Sequence, residues 1–171
     1  FKTDRPEFDE AEKGINERIN RLLSIKGKHS VDHIHKELGH IMWEYVGMAR
    51  NAEGLKTAIE KIQQLKKDFF TNLRIPGDKD SLNVELENAL RLQDFIELGE
   101  LIAHDALDRN ESCGGHFRTE FQTPDGEALR NDDEYAYVSC WEYQGEDKAP
   151  VMHKEPLDYE FVVRQQRNYK S

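Results

Sequence analysis

A chain of 171 residues with 37% hydrophobic and 34% charged side chains can bury one modest core beneath a broad polar surface. Its formal net charge of −10 argues against nucleic acid, whose phosphates demand clustered Lys and Arg, and against an anionic membrane surface. No apolar run nears the roughly 20 residues that cross a bilayer, so direct membrane insertion is not expected.

The chain opens at Phe1 rather than a methionine, which leads us to expect a piece of a longer polypeptide, and its opening residues do not read as a secretory or transit segment. Four helical segments are expected from residue 5 to about 109. In the first, Asp4 is a candidate cap, Pro6 suits the opening turn, and Phe8, Ala11, Ile15, Ile19 and Leu22 recur three or four apart. The second follows Ser30, a favoured N-cap, and carries Val31, Ile34, Leu38, Ile41, Tyr45 and Met48. After a break near Asn51 the third carries Leu55, Ile59, Ile62, Leu65, Phe69 and Leu73, with Lys66 and Lys67 directed to water. Pro76-Gly77 stops it. The fourth, from about Leu82, is assigned the stripe Leu86, Leu90, Phe95, Leu98, Ile102 and Ala106. Each stripe covers one face, so the helices must be stabilised by packing on one another. Gly14, Gly39, Gly54 and Gly99 are expected at close helix approaches or on tolerant surfaces.

Beyond Asn110 the helical period disappears. Pro124-Asp125-Gly126 is a turn signal and Gln144-Gly145-Glu146 a weaker one. Between them Tyr135 to Trp141 favours a strand, and Tyr159 with Phe161, Val162 and Val163 suggests a second. One hairpin cannot bury so many aromatics, so this tail is expected to lie on another surface. The fold class is therefore mainly α: an up-and-down, spectrin-repeat-like three-helix bundle with an extra N-terminal helix and an extended, partly β tail. The expected divisions are 1–29 for the leading helix, 30–110 for the bundle and 111–171 for the tail.

Few constellations suggest chemistry. Cys113 and Cys140 read as reduced thiols, a single bridge being the alternative. His33, Glu37 and His40, facing Glu97, Glu100 and His104, invite comparison with a di-iron carboxylate bundle. Only one Glu-x-x-His occurs, so a solvated polar face is the plainer account. Cys113 with His116 lacks an orienting third group for nucleophilic catalysis. Trp43 and Trp141 read as packing residues. The least ordinary stretch is Arg109 to Glu120, where two adjacent glycines end a long helix and His and Arg follow.

Within that stretch, Glu111-Ser112-Cys113-Gly114-Gly115-His116-Phe117-Arg118 resembles the E-S-R-G-A-H-x-R segment of succinate dehydrogenase and fumarate reductase flavoproteins. The likeness continues through Glu120, Pro124-Asp125, Asp132-Asp133 and a close at Arg167-Asn168-Tyr169. Upstream, Glu37 to Phe69 resembles the family's bundle helices, including the joint from Met48 to Leu55. Cys113 and Gly115 depart from the family's arginine and alanine, and the first helix and residues 126–130 lie outside its commonest pattern. L-aspartate oxidase shares the motif, but its chain ends soon after it, whereas a long tail follows here.

The resemblance implies a parent enzyme, an FAD-dependent oxidoreductase acting on succinate and fumarate. It would combine an FAD-binding domain, a capping domain and this bundle, with an iron–sulfur subunit as partner. It also implies a cytoplasmic location, peripheral on the inner membrane through the complex. The family's catalytic and flavin-binding groups lie upstream, so no catalytic, cofactor-binding or metal-binding residue is carried over. The isolated chain is expected to bind neither flavin nor metal. Glu111, Ser112, Gly114, His116 and Arg118 are expected at a domain interface. The parent's preference for fumarate reduction or succinate oxidation is expected to rest on cofactor tuning outside this chain.

Overall fold

The computed structural model describes residues 2, 4–145 and 148–165. Along them run α1 (Pro6–Ser24), α2 (Val31–Ile41), α3 (Ala52–Asn72), α4 (Val84–Asp108), a one-turn α5 (Asp132–Tyr135), β1 (Tyr137–Glu142) and β2 (Val151–Pro156). Lys66 meets Glu97 and Gln63 meets Glu100, so α3 and α4 are antiparallel. His35 lies against Phe95 and Leu38 against Gly99, so α2 runs parallel to α4. The mainly α, up-and-down bundle with an added helix and a short hairpin is the fold expected from the sequence.

Side-chain caps start the bundle helices. Ser30 Oγ accepts the His33 amide at 3.1 Å, Asn51 Oδ1 that of Gly54 at 2.8 Å, and Asn83 Oδ1 that of Leu86 at 3.1 Å. Each satisfies one of the four donors that a helix start leaves open. At α1 the expected cap fails: Arg5, not Asp4, holds the N-cap position without a side-chain bond, and Pro6 opens the helix. Only the last turns of α1 are packed. Leu22 is fully buried, and Arg18 reaches Gln93 Oε1, the Leu90 carbonyl and Asp94 at 3.0, 3.2 and 2.8 Å. Phe8 and Ile15, from the expected stripe, are exposed.

The chain from α1 to α2 lies along the end of α3. The Gly27 amide donates to Leu73 O at 2.9 Å, those of Lys28 and His29 to Asn72 O at 2.9 and 3.0 Å, and that of Arg74 to His29 O at 2.8 Å. A Cβ on Gly27 would stand 1.9 Å from both the carbonyl carbon and the oxygen of Asn72, so this approach requires glycine.

The core is divided. A large cluster joins Leu22, Val31, Ile34 and Leu38 to Ile62, Leu65, Phe69, Leu73, Ile75, Leu86, Ala89, Leu92 and Ile96. A smaller one joins Val46, Leu55, Ala58, Ile59, Ala103 and Ala106, and Ile41 and Met42 pack against both. The second helix does not continue unbroken to Met48. After Ile41 it widens into a π turn, Met42–Val46. The wider turn accompanies a buried Val46, while Trp43 and Met48 are 84% and 89% exposed. Trp43 is thus no packing residue within the described chain. Lys66 is half-buried beside Glu97 at 3.7 Å, whereas Lys67 does face water.

The stripe expected for the fourth helix holds at Leu86, at the partly buried Leu90 and at Ala106. Leu86 and Ala106 are buried, but between them the buried face is Ala89, Leu92, Ile96, Gly99 and Ala103, and Phe95, Leu98 and Ile102 face outward. Both faces of α4 are apolar, so period alone could not choose between them. Leu92→Ala is expected to destabilise the chain by about 2–5 kcal/mol, and Phe95→Ala by less than about 1 kcal/mol. Urea titrations with the two losses reversed would return the core to the other face.

In the tail, β1 and β2 are antiparallel, with register from Tyr137↔Pro156 to Glu142↔Val151. The strand begins two residues later than expected because Asn131 Oδ1 accepts the Glu134 amide at 3.3 Å and starts α5. The second strand is Val151–Pro156, not Tyr159 to Val163, which carries no ladder. The turn at Pro124-Asp125-Gly126 forms as expected, the Gly126 amide donating to Thr123 O at 2.9 Å. Glu146 of the weaker turn and the Arg167-Asn168-Tyr169 close lie outside the described residues. Tyr137 is buried and Trp141 Nε1 donates to Asp105 Oδ1 at 2.8 Å, so part of the tail folds on α4, while Tyr143, Tyr159 and Phe161 remain exposed.

Candidate functional site

The unusual stretch forms a knot where α4 ends and α3 begins. Helix α4 stops at Asp108 with its last carbonyls unsatisfied by the helix itself. Arg118, 2% exposed, reaches them: Nη1 donates to Ala106 O at 2.9 Å and Leu107 O at 3.2 Å, with Arg109 O at 3.4 Å. Its Nε and Nη2 each meet the Glu120 carboxylate at 3.2 Å. Glu120 in turn accepts the Ala52 amide at the first turn of α3. A cation thus sits at the negative end of α4 and an anion at the positive end of α3, paired to one another. Burial opposes ionisation of Glu120, but the bonds from Arg118 and the Ala52 amide outweigh it and hold the carboxyl below its usual range.

Ser112 and Glu111 complete the knot. Ser112 Oγ accepts the Arg118 amide at 2.8 Å and donates to Arg118 O at 3.1 Å. Buried Glu111 accepts Arg109 Nε at 2.8 Å on one oxygen and the Asn131 amide at 2.8 Å on the other. Arg109 also donates to Tyr135 O at 2.7 Å and lies over the Tyr135 and Tyr137 rings. Backbone pairing adds Arg50 N–H to Phe117 O and Thr119 N–H to Arg50 O, at 3.1 and 2.9 Å. One motif therefore fastens the ends of two helices, the α2–α3 joint and the root of the hairpin.

Between Cys113 and His116 the chain makes a tight turn, with reciprocal amide bonds of 2.8 and 3.0 Å and Gly114 at φ +58°. Gly114 and Gly115 form its exposed crest, and Arg50 Nη2 donates to Gly115 O at 3.2 Å. His116 Nε2 lies 2.9 Å from Arg109 O. A carbonyl only accepts, so Nε2 carries the proton. Burial first, then the charges of Arg50, Arg118 and Arg109, hold the imidazole pKa below its ordinary value, against the opposing carbonyl bond. Neutral His116 is therefore favoured by folding. Its share of stability is complete above the unfolded value of about 6.5 and is lost as pH falls below it. His116→Gln is expected to remove part of the acid-side decline, visible as a difference between variant and parent melting curves from about pH 7 to pH 5. Coincident pH profiles would show that His116 contributes no linkage.

The knot brings together all five motif residues singled out from the sequence: Glu111, Ser112 and Arg118 buried, His116 half-buried and Gly114 outward. The links of Glu111 to Asn131, of Arg118 to Ala106 and of Glu120 to Ala52 have no sequence signal, since each joins residues from different elements. The two carboxylate–histidine sets do not converge. His33, Glu37 and His40 are exposed, Glu97 faces Lys66, and Glu100 takes bonds from Gln63 and lies 3.9 Å from His104. Among the described residues no group of three or more His, Cys, Asp or Glu is placed to hold a metal ion. Cys113 and Cys140 are free thiols, not a bridge.

Residues 35–169 match the family described as the C-terminal part of the fumarate reductase flavoprotein. The chain belongs to that family. The match thus runs from within α2 through the knot and most of the tail. The succinate dehydrogenase flavoprotein subunit of Bacillus subtilis is 26% identical over 162 residues, which is 95% of this chain and 26% of that subunit. An L-aspartate oxidase of Nicotiana tabacum is 36% identical, but over only 52% of this chain and 13% of its own length. Fumarate and succinate flavoproteins therefore fit the chain better than L-aspartate oxidase does. A chain of E. coli quinol fumarate reductase shares the fold at a TM-score of 0.82 and 21% identity, over 97% of this chain and 27% of its own. This chain thus spans about a quarter of the B. subtilis relative. No helix among the described residues is long and apolar enough to cross a membrane.

Proposed function

We propose that this chain is the C-terminal support portion of an FAD-dependent oxidoreductase that interconverts fumarate and succinate. The observation that carries the reading is the knot at residues 109–120, which lies inside the family match and spends its polar groups on internal bonds. Its chemistry is that of a fastening rather than of catalysis. In this reading residues 1–29 lead in from the preceding domain, 30–110 form the supporting bundle and 111–171 form the tail. The neighbours are the FAD-binding and capping domains of the same subunit and an iron–sulfur subunit. FAD belongs to the upstream domains, and the parent is peripheral on the cytoplasmic face of the membrane through its complex. The motif meets its neighbour through the Gly114–Gly115 crest, with Glu111, Ser112, His116 and Arg118 holding the crest in place.

The test is to express the parent polypeptide and assay succinate oxidation with an artificial acceptor and fumarate reduction with a reduced viologen dye. Activity on that pair, together with a flavin spectrum, is the expected result. A parent inert toward both but active on L-aspartate would replace the reading. Stoichiometric iron in the isolated chain would instead restore the di-iron alternative.

A further inference from the structure

We infer that the outward face of α4, formed by Phe95, Leu98 and Ile102, is the seat of the N-terminal body of the same polypeptide. A surface helix faces its core with an apolar stripe of about 100° or a little more, so a stripe much wider than the bundle covers marks a second contact. Helix α4 is of the wider kind: Leu92, Ile96 and Ala103 are buried in the bundle, while Phe95, Leu98 and Ile102, roughly a quarter-turn round a helix of about 3.6 residues per turn, are 41–53% exposed. The face is bounded by structure. His35 of α2 stacks on Phe95 at 5.7 Å, and Trp141 of β1 is bonded to Asp105 one turn beyond Ile102.

Three observations select the occupant. The matched family is the C-terminal part of its flavoproteins, and the chain spans 26% of the B. subtilis subunit, so most of such a polypeptide precedes it. The net charge of −10 carried by these 171 residues works against pairing this face with the same face of a second copy. Three half-exposed side chains also fall well short of the roughly 800 Å² per partner that a stable complex of independent chains buries. A covalently tethered body needs no such area, because the tether supplies its effective concentration. The inference rests on the proposed parent only in requiring an N-terminal body, and not on its substrate.

The experiment places p-benzoylphenylalanine at Leu98 in the intact parent and irradiates it, with the same probe at exposed Lys36 of α2 as control. The expected product keeps the mass of one chain on a denaturing gel and joins position 98 to a peptide preceding this chain. Linkage to a second copy, to another subunit, or only within this chain overturns the inference, as does labelling no stronger than at Lys36. Leu98→Glu gives a second reading. It should speed proteolytic separation of this portion from the parent by roughly tenfold or more while leaving the melting of the 171-residue chain in place. An unchanged rate of separation also overturns the inference. Tethered cross-links in a parent that fails the succinate and fumarate assays would sink the proposed activity and leave this surface assigned.

Discussion

Arg118→Ala is expected to destabilise the chain by about 3 kcal/mol, lowering its melting temperature by about 6–12 °C. The lost side chain is 2% exposed and serves both Ala106 O and Glu120, so its removal leaves carbonyls buried without a donor and a carboxylate without its cation. Glu120 is 37% exposed, so water replaces part of that pairing and the upper end of the range for a broken buried ion pair is not reached. Arg118→Lys is expected to recover less than half of the loss, since a single ammonium cannot span the carbonyls and the carboxylate together. A urea titration placing the alanine variant within about 1 kcal/mol of the parent would remove Arg118 from its place as the fastening of α4.

Gly27→Ala is expected to cost at least about 3 kcal/mol, although it adds only one methyl group. The atoms it would strike are the backbone of Asn72, 1.9 Å away, which no rotamer change can clear. Relief requires the α1–α2 connection to lift from α3 and surrender the Gly27–Leu73 and Lys28–Asn72 bonds. Gly14→Ala is the matched control, since nothing lies within 4 Å of the Cβ it would add. That change is expected to be neutral or to stabilise by up to about 1 kcal/mol, through helix propensity. Equal melting temperatures for the two alanine variants would contradict the close approach.

Where one physical rule acted alone, the sequence was sufficient. Ser30 as cap, and Leu55 to Leu73 as a single buried stripe, needed only local hydrogen bonding and the 3.6-residue period. On α4 that period had two apolar solutions, and neighbouring helices made the choice. Val151-Met-His-Lys-Glu-Pro156 is a strand through its register with β1 and not through its own propensity, whereas the better strand-formers Tyr159 to Val163 have no ladder. The residues of the candidate site stood out as a motif, and the family likeness located it. Its work did not stand out, because Glu111 to Asn131 and Arg118 to Ala106 are bonds between elements that only the fold brings together. Gly27 was silent for the same reason: its need comes from Asn72, 45 positions along the chain.

The π turn at Met42–Val46 has a consequence for cooperativity. It lies where the two apolar clusters meet, and among the described residues Ile41 and Met42 alone pack against both. The smaller cluster, half of it alanine, protects its backbone amides with less buried apolar area than the larger one, so the two are expected to open as separate units. Amide exchange should therefore be faster along 103–106 than along 62–69, and the knot should release the hairpin in the same event. The outward face of α4 runs across this seam, from beside Ile96 of the larger cluster to beside Ala103 of the smaller. A body seated there acts as a splint, coupling two units that would otherwise exchange on their own.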